Sequence, residues 1–170
     1  MTGFNDPDNG RSIARYMGLT MREVGTPTPG QASLVGEAPA SSYLRGPDGG
    51  IAFGVLLTLA DSVGGLCGGL GSLPDWIVST NLMLRSVRRE VIGPIGLAST
   101  TLRVGSRATV TSVTLSDCGA EEAALAVGTL TAAVLQPADG PPVYERPLVL
   151  ESTPPDPATT PPLEEFLGVR

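Results

Sequence analysis

The chain has 170 residues, a net charge of −6, an isoelectric point near 4.5 and eleven basic residues that are all arginine. Its length suits one domain that buries most of its core without disulfides or metal, and its acidic balance excludes a general nucleic-acid binder. The absence of histidine excludes Ser-His-Asp and Cys-His chemistry, His-ligated zinc and His-based hydratase dyads within the chain.

Any catalysis must therefore use carboxylates, hydroxyls or backbone groups. Cys67 and Cys118 are too few, and too apolar in setting, for a disulfide framework. No cationic, apolar leader begins the sequence, so a cytoplasmic protein is expected, with no membrane partner.

In chain order, Asp8 or Asn9 is placed to cap a short helix through Ile13, Ala14, Tyr16 and Met17, with Gly18 as its stop signal. Residues 19–24 and 32–38 alternate as two strands, joined by a turn-rich loop. A long apolar run follows. Between positions 51 and 67 only Thr58, Asp61 and Ser62 carry polar side chains, so a helix over about 51–68 must be enclosed. A sheet wrapped round a soluble helix fits better than lipid, because the run is short for a membrane span, glycine-rich and centred on a carboxylate. Gly46, Pro47, Asp48, Gly49 and Gly50 before it form a loop expected to aim free N–H groups at the helix N-terminus, an end that holds negative oxygens.

A loop is expected over 71–75, then strands over 76–85, 95–104, 109–115 and 123–135, punctuated by Gly105-Ser106 and Asp117-Cys118-Gly119. The alanines of the last strand also suit a helix, but Val127, Thr129, Thr131 and Val134 favour extension. Nine prolines between 137 and 162 predict an extended tail draped on the surface or disordered, giving a single domain over 1–136 and a tail over 137–170. Tyr16-Met17-Gly18-Leu19 is faintly echoed by Phe166-Leu167-Gly168-Val169. Chance is the favoured explanation; the sharper one is that a terminal segment imitates the opening helix and packs on a neighbouring copy.

No P-loop is present, and the glycines after Asp61 follow a helix, where a dinucleotide fingerprint would open one. The order of helix, two strands, long helix and four strands, with Leu-Ala-Asp in the long helix, resembles the hotdog fold: α+β, an antiparallel sheet wrapped round a central helix. More narrowly, GVLLTLAD at 54–61 followed by VSTNLMLR at 78–85 is similar to the PaaI-type acyl-CoA thioesterases. The resemblance implies hydrolysis of acyl-CoA to free acid and CoA. It implies no metal and no cofactor beyond the coenzyme A of the substrate. It also implies a homodimer or homotetramer paired edge to edge, with the active site between subunits.

The family's His-Gly-Gly falls on Ala52, Phe53 and Gly54, so its histidine is missing. Asp61 is then the catalytic residue, as general base on water or as nucleophile, and burial on an apolar helix is expected to raise its pKa. The N–H groups of Phe53 and Gly54 form the oxyanion site. Ser79, Thr80 and Asn81 are expected beside the substrate; in the alternative, Asp61 is a structural carboxylate hydrogen-bonded to Ser79, Thr80 or a neighbouring subunit. Arg85, Arg88 and Arg89, with Arg103 and Arg107, suit the phosphates of coenzyme A or, equally, solvated strand ends paired with Glu90 or Glu121. Gly64, Gly65, Gly68 and Gly69 either leave room for an acyl chain or let the helix approach the sheet. The alternative function is a non-catalytic hotdog that binds acyl thioesters or serves as an assembly partner.

Overall fold

The computed structural model describes residues 13–135 and 146–168. The opening helix α1 (Ile13–Met17) leads to β1 (Thr20–Glu23) and β2 (Ser33–Ala38); its expected cap at Asp8 or Asn9 lies outside the described residues. The long helix α2 (Phe53–Ser72) is followed by β3 (Trp76–Ser86), β4 (Ile95–Val104), β5 (Ala108–Asp117) and β6 (Ala123–Leu135). Beyond the tail's first residues come β7 (Val149–Glu151) and α3 (Leu163–Phe166). The seven strands among the described residues pair antiparallel in one sheet, ordered β3-β6-β5-β4-β2-β1-β7. This is the hotdog fold.

The helix runs one turn past the expected end, because Gly68, Gly69, Leu70, Gly71 and Ser72 are all buried against the sheet and packing outweighs the glycines' low helix propensity. By length and composition alone its 20 residues suffice to cross a membrane. Here its apolar surface is met by protein: Val55, Leu56, Leu59, Ala60, Val63 and Cys67 are fully buried among inward side chains of the strands. The register slips at Thr80 on β3, Leu102 on β4 and Leu125 on β6, each leaving one residue unpaired. Such bulges sharpen strand twist and help a sheet curl round a cylinder.

The slip at Thr80 also resets which side chains face the helix. Before it, Ile77 and Ser79 point towards α2; after it, Leu82 and Leu84 pack on the core, while Asn81, Met83 and Arg85 are exposed. Strict alternation would have put Ser79 and Arg85 on one face.

The proline-rich tail is more integral than its composition suggests. Leu150 pairs with Met21 on the outer edge of β1, and Leu148 and Leu163 are buried. An ion pair fastens it. Buried Glu23 receives Arg146 through Nε at 3.1 and 3.2 Å and also through Nη2, and accepts the Leu148 N–H at 3.2 Å. The Arg146 hydrogen bond holds the Glu23 carboxyl below its ordinary range despite burial. The terminal segment packs on the opening helix of its own chain and not, as expected, on a neighbouring copy: Phe166 stacks on Tyr16 at 4.2 Å, and both short helices end on a left-handed glycine, Gly18 at φ 61° and Gly168 at φ 71°.

Candidate active site

Asp61 lies on the face of α2 that the sheet leaves open. It is exposed, so one chain does not supply the enclosure expected around it. Ser79 Oγ donates to its Oδ1 at 2.8 Å, which fixes the carboxylate against the start of β3. Of the three polar residues expected beside it, only Ser79 makes that contact among the described residues. Thr80 is the bulged residue and donates to the Thr131 carbonyl at 3.0 Å; Asn81 is turned outward.

The face carrying Asp61 lines a cavity of about 320 Å³. Thr58, Asp61, Ser62, Gly65, Leu66 and Gly69 recur at helical spacing along one wall. Asp75, Trp76, Ile77 and Ser79 form the β3 side. Opposite stand Leu19 and Met21 of the β1 segment, Leu148 and Leu150 of the tail, and Ile13 and Ala14 of α1. Strands β3 and β7 are the two edges of the sheet, so the cavity occupies the gap where the sheet fails to close round its helix. That α1 and the tail wall this cavity was not read from sequence; for the tail, the apolar run Leu148-Val149-Leu150 was the available signal.

Three of the four helix glycines divide between two tasks. A Cβ on Gly64 would stand 2.9 Å from Val113 Cγ2, and one on Gly68 would stand 3.1 Å from Ile77 Cδ1, so both serve close packing. A Cβ on Gly65 would meet only Ser79 Oγ at 3.9 Å, so this glycine faces open space. Gly64→Ala is therefore expected to destabilise by about 1–2 kcal/mol. Gly65→Ala is expected to be neutral or to stabilise by up to about 1 kcal/mol through helix propensity. Paired urea titrations of the two variants check the contrast.

At the N-terminus of α2, Ala52 provides no side-chain cap, and the first N–H groups of the helix, on Phe53 and Gly54, have no partner among the described residues. These are the free donors. The glycine loop before them closes on itself, contrary to expectation: Gly46 N–H donates to Gly50 O at 2.8 Å, Gly49 N–H to Gly46 O at 2.9 Å, and Gly50 N–H to Asp48 Oδ1 at 3.3 Å. Gly54 stands seven residues before Asp61, nearly two full turns, on the same stripe but about 10 Å away along the axis. A thioester carbonyl needs its oxyanion donors at about 3 Å. Within one chain, Asp61 and the helix N-terminus cannot serve the same carbonyl.

The arginines form two groups. Arg88 pairs with buried Asp117 at 3.0 Å and Arg89 with Asp48, while Arg85 is exposed on the outer sheet face. Arg103 sits opposite Val110, which pairs with Thr131 and through it Asn81, towards the other end of the sheet from Arg85. Both cysteines are poor nucleophiles: burial raises the Cys67 thiol, and burial with nearby Glu122 pushes Cys118 up to about 11. No group of three or more acidic or cysteine side chains is placed to hold a metal among the described residues.

No protein-family model matches the chain, and no curated protein matches it in sequence. Solved structures share its fold. A thioesterase from Haemophilus influenzae is 20% identical, over 75% of this chain and 85% of that one, with a TM-score of 0.62. A thioesterase family protein from Silicibacter pomeroyi is 19% identical over 74% and 90%, with a TM-score of 0.61. A Streptococcus mutans protein bound to acetyl-CoA is 17% identical over 68% and 89%, with a TM-score of 0.56.

Proposed function

We propose, taking the hotdog fold as premise, that this protein hydrolyses acyl-CoA thioesters to free acid and CoA, with Asp61 as its catalytic carboxylate. The observation that carries the reading is Asp61 itself: a carboxylate held by Ser79 in the wall of an otherwise largely apolar cavity on the central helix. Solved proteins of this fold that are thioesterases, and one that holds acetyl-CoA, support it.

In the general-base route, Asp61 takes a proton from water as the oxygen attacks the thioester carbonyl carbon. The oxyanion formed is held by backbone N–H groups, the C–S bond breaks, and the CoA thiolate leaves to be protonated. In the nucleophilic route, an Asp61 oxygen attacks the carbonyl carbon, the C–S bond breaks and the CoA thiolate leaves as a mixed anhydride forms; water then cleaves the anhydride, releasing the acid, restoring the Asp61 carboxylate and supplying the proton the thiolate takes up.

Because Asp61 and the N–H groups of Phe53 and Gly54 stand about 10 Å apart in one chain, a complete site takes the acid from one copy and the helix N-terminus from another. The 11-residue edge strand β3, exposed along most of its length beside Asp61, is suited to antiparallel pairing with a second copy. Light scattering at micromolar concentration is expected to give at least twice the 17.4 kDa chain mass. An active monomer would overturn the shared site. Of Arg85, Arg88 and Arg89, only Arg85 has no ion pair among the described residues, which leaves it for a CoA phosphate, while Arg88 and Arg89 are already engaged.

The test is thiol release from a panel of acyl-CoAs. Saturable turnover establishes the hydrolase. Absence of turnover, with CoA esters still raising the melting temperature, would favour the second reading, an acyl-thioester binder without chemistry, to which the absence of histidine points.

A further inference from the structure

We propose that the C-terminal segment is the acyl-selectivity element of this site. On this view β7, fastened by the Glu23–Arg146 ion pair, narrows the gap between the sheet's edges and restricts the cavity beside Asp61 to a compact acyl group. The inference rests on the acyl-thioester reading above and adds what sets the substrate's size.

Four observations carry it. The cavity lies between the sheet's two edges, so its width is decided by whatever occupies the β1 edge, and that occupant is β7. Leu148 and Leu150 of this segment join Leu19, Met21, Ile13 and Ala14 in an apolar wall facing the stripe that carries Asp61 and Gly65. The segment is held in place: Glu23 takes both the Arg146 guanidinium and the Leu148 N–H, and Arg146 also donates to the Gln31 carbonyl at 3.1 Å. At about 320 Å³ in one chain the space is at the lower end for small-molecule sites.

The chemistry of the walls defines the occupant. The facing side chains from α1, β1 and the tail are hydrocarbon or thioether, so they reward methylene groups and offer no partner to a charged or hydroxylated tail. Gly65 leaves space directly beside the carboxylate, where the first carbons of an acyl group bonded to the attacked carbonyl would run.

Non-hydrolysable S-alkyl-CoA thioethers with chains from two to twelve carbons, titrated by calorimetry into the intact protein, measure the cavity directly. Affinity is expected to rise about four-fold per added methylene until the cavity is full, and then to stop rising or fall. Leu150→Ala, which trims the tail wall, should move the best chain two or three carbons longer. Leu150→Val, a smaller trim of the same tail side chain, should move it by about one carbon and decides the matter if Leu150→Ala fails to fold, while Ala14→Leu, which fills the cavity from α1, should move it shorter. An optimum that stays put in the folded variants, or no thioether bound by the wild type, overturns the proposal. Turnover of the matching acyl-CoAs separates the two readings. Hydrolysis with an unmoved optimum removes the selectivity element and leaves the enzyme. A moved binding optimum without hydrolysis keeps the element and removes the enzyme.

Discussion

Asp61→Asn is expected to lower kcat for acyl-CoA hydrolysis by about 10²–10⁴-fold, the range associated with losing a general base. Asparagine has almost the same shape and retains an oxygen to accept from Ser79, so the substitution removes basicity and nucleophilicity while keeping the Ser79 contact. The side chain is exposed on the helix, and little of the fold depends on it, so the melting temperature should stay close to that of the wild type. Ser79→Ala leaves the acid in place and removes one hydrogen bond to it. A loss of about 10- to 100-fold is expected there, matching the 1.5–3 kcal/mol typical of a bond to a charged group. Stopped-time thiol assays on both variants, at saturating and at low substrate, read these effects. A turnover within a few-fold of wild type for Asp61→Asn would remove Asp61 from the chemistry.

Most of the fold was legible because its elements are written in strong local patterns. The apolar run about Asp61 has no plausible solution other than enclosure, and the strands at Ile95–Val104 and Ala123–Leu135 are bounded by turn residues that fix their ends. The misread regions share a different cause: their structure is decided by what packs on them. Helix α2 gains its last turn from buried contacts that glycine-rich sequence does not advertise. The tail reads as linker by its prolines, yet Leu148, Leu150 and Leu163 find apolar partners, and Arg146 finds a carboxylate 123 positions away. At the site, Asp61 was visible as the one acid in an apolar run. The arginines were visible by type but not by task, since Arg88 and Arg89 are taken by Asp117 and Asp48 across 29 and 41 positions. The bulge at Thr80, which separates the face of Ser79 from that of Arg85, has no sequence signature here.

Asp117→Ala is expected to cost about 3–5 kcal/mol, a larger loss than any change at the candidate site should cause. The carboxylate is 1% exposed and is the acceptor for four donors: the N–H groups of Ile92 at 2.9 Å, Gly93 at 2.8 Å and Gly119 at 3.1 Å, and Arg88 Nη2 at 3.0 Å. Alanine would leave these donors without their acceptor, and it would free the segment after β3 from the turn after β5. That segment also accepts the Ile51 N–H through Arg89 O at 2.8 Å, so it steadies the chain that enters the central helix. A fall of roughly 10 °C in melting temperature follows for a chain of this size. Burial alone would raise the Asp117 pKa, but the three N–H groups and Arg88 outweigh it and hold the carboxyl below its ordinary range. A depressed folded-state pKa gives stability that is fully present above the unfolded value of about 3.9. That stability is lost as pH falls through the folded value. Glu23, lowered chiefly by Arg146, acts in the same direction. Wild-type unfolding free energy should therefore drop on going from about pH 6 to about pH 3, and Asp117→Asn, which has no proton to take up, should drop by less. Equal drops in the two proteins would mean that Asp117 is not the group through which acid reaches the fold.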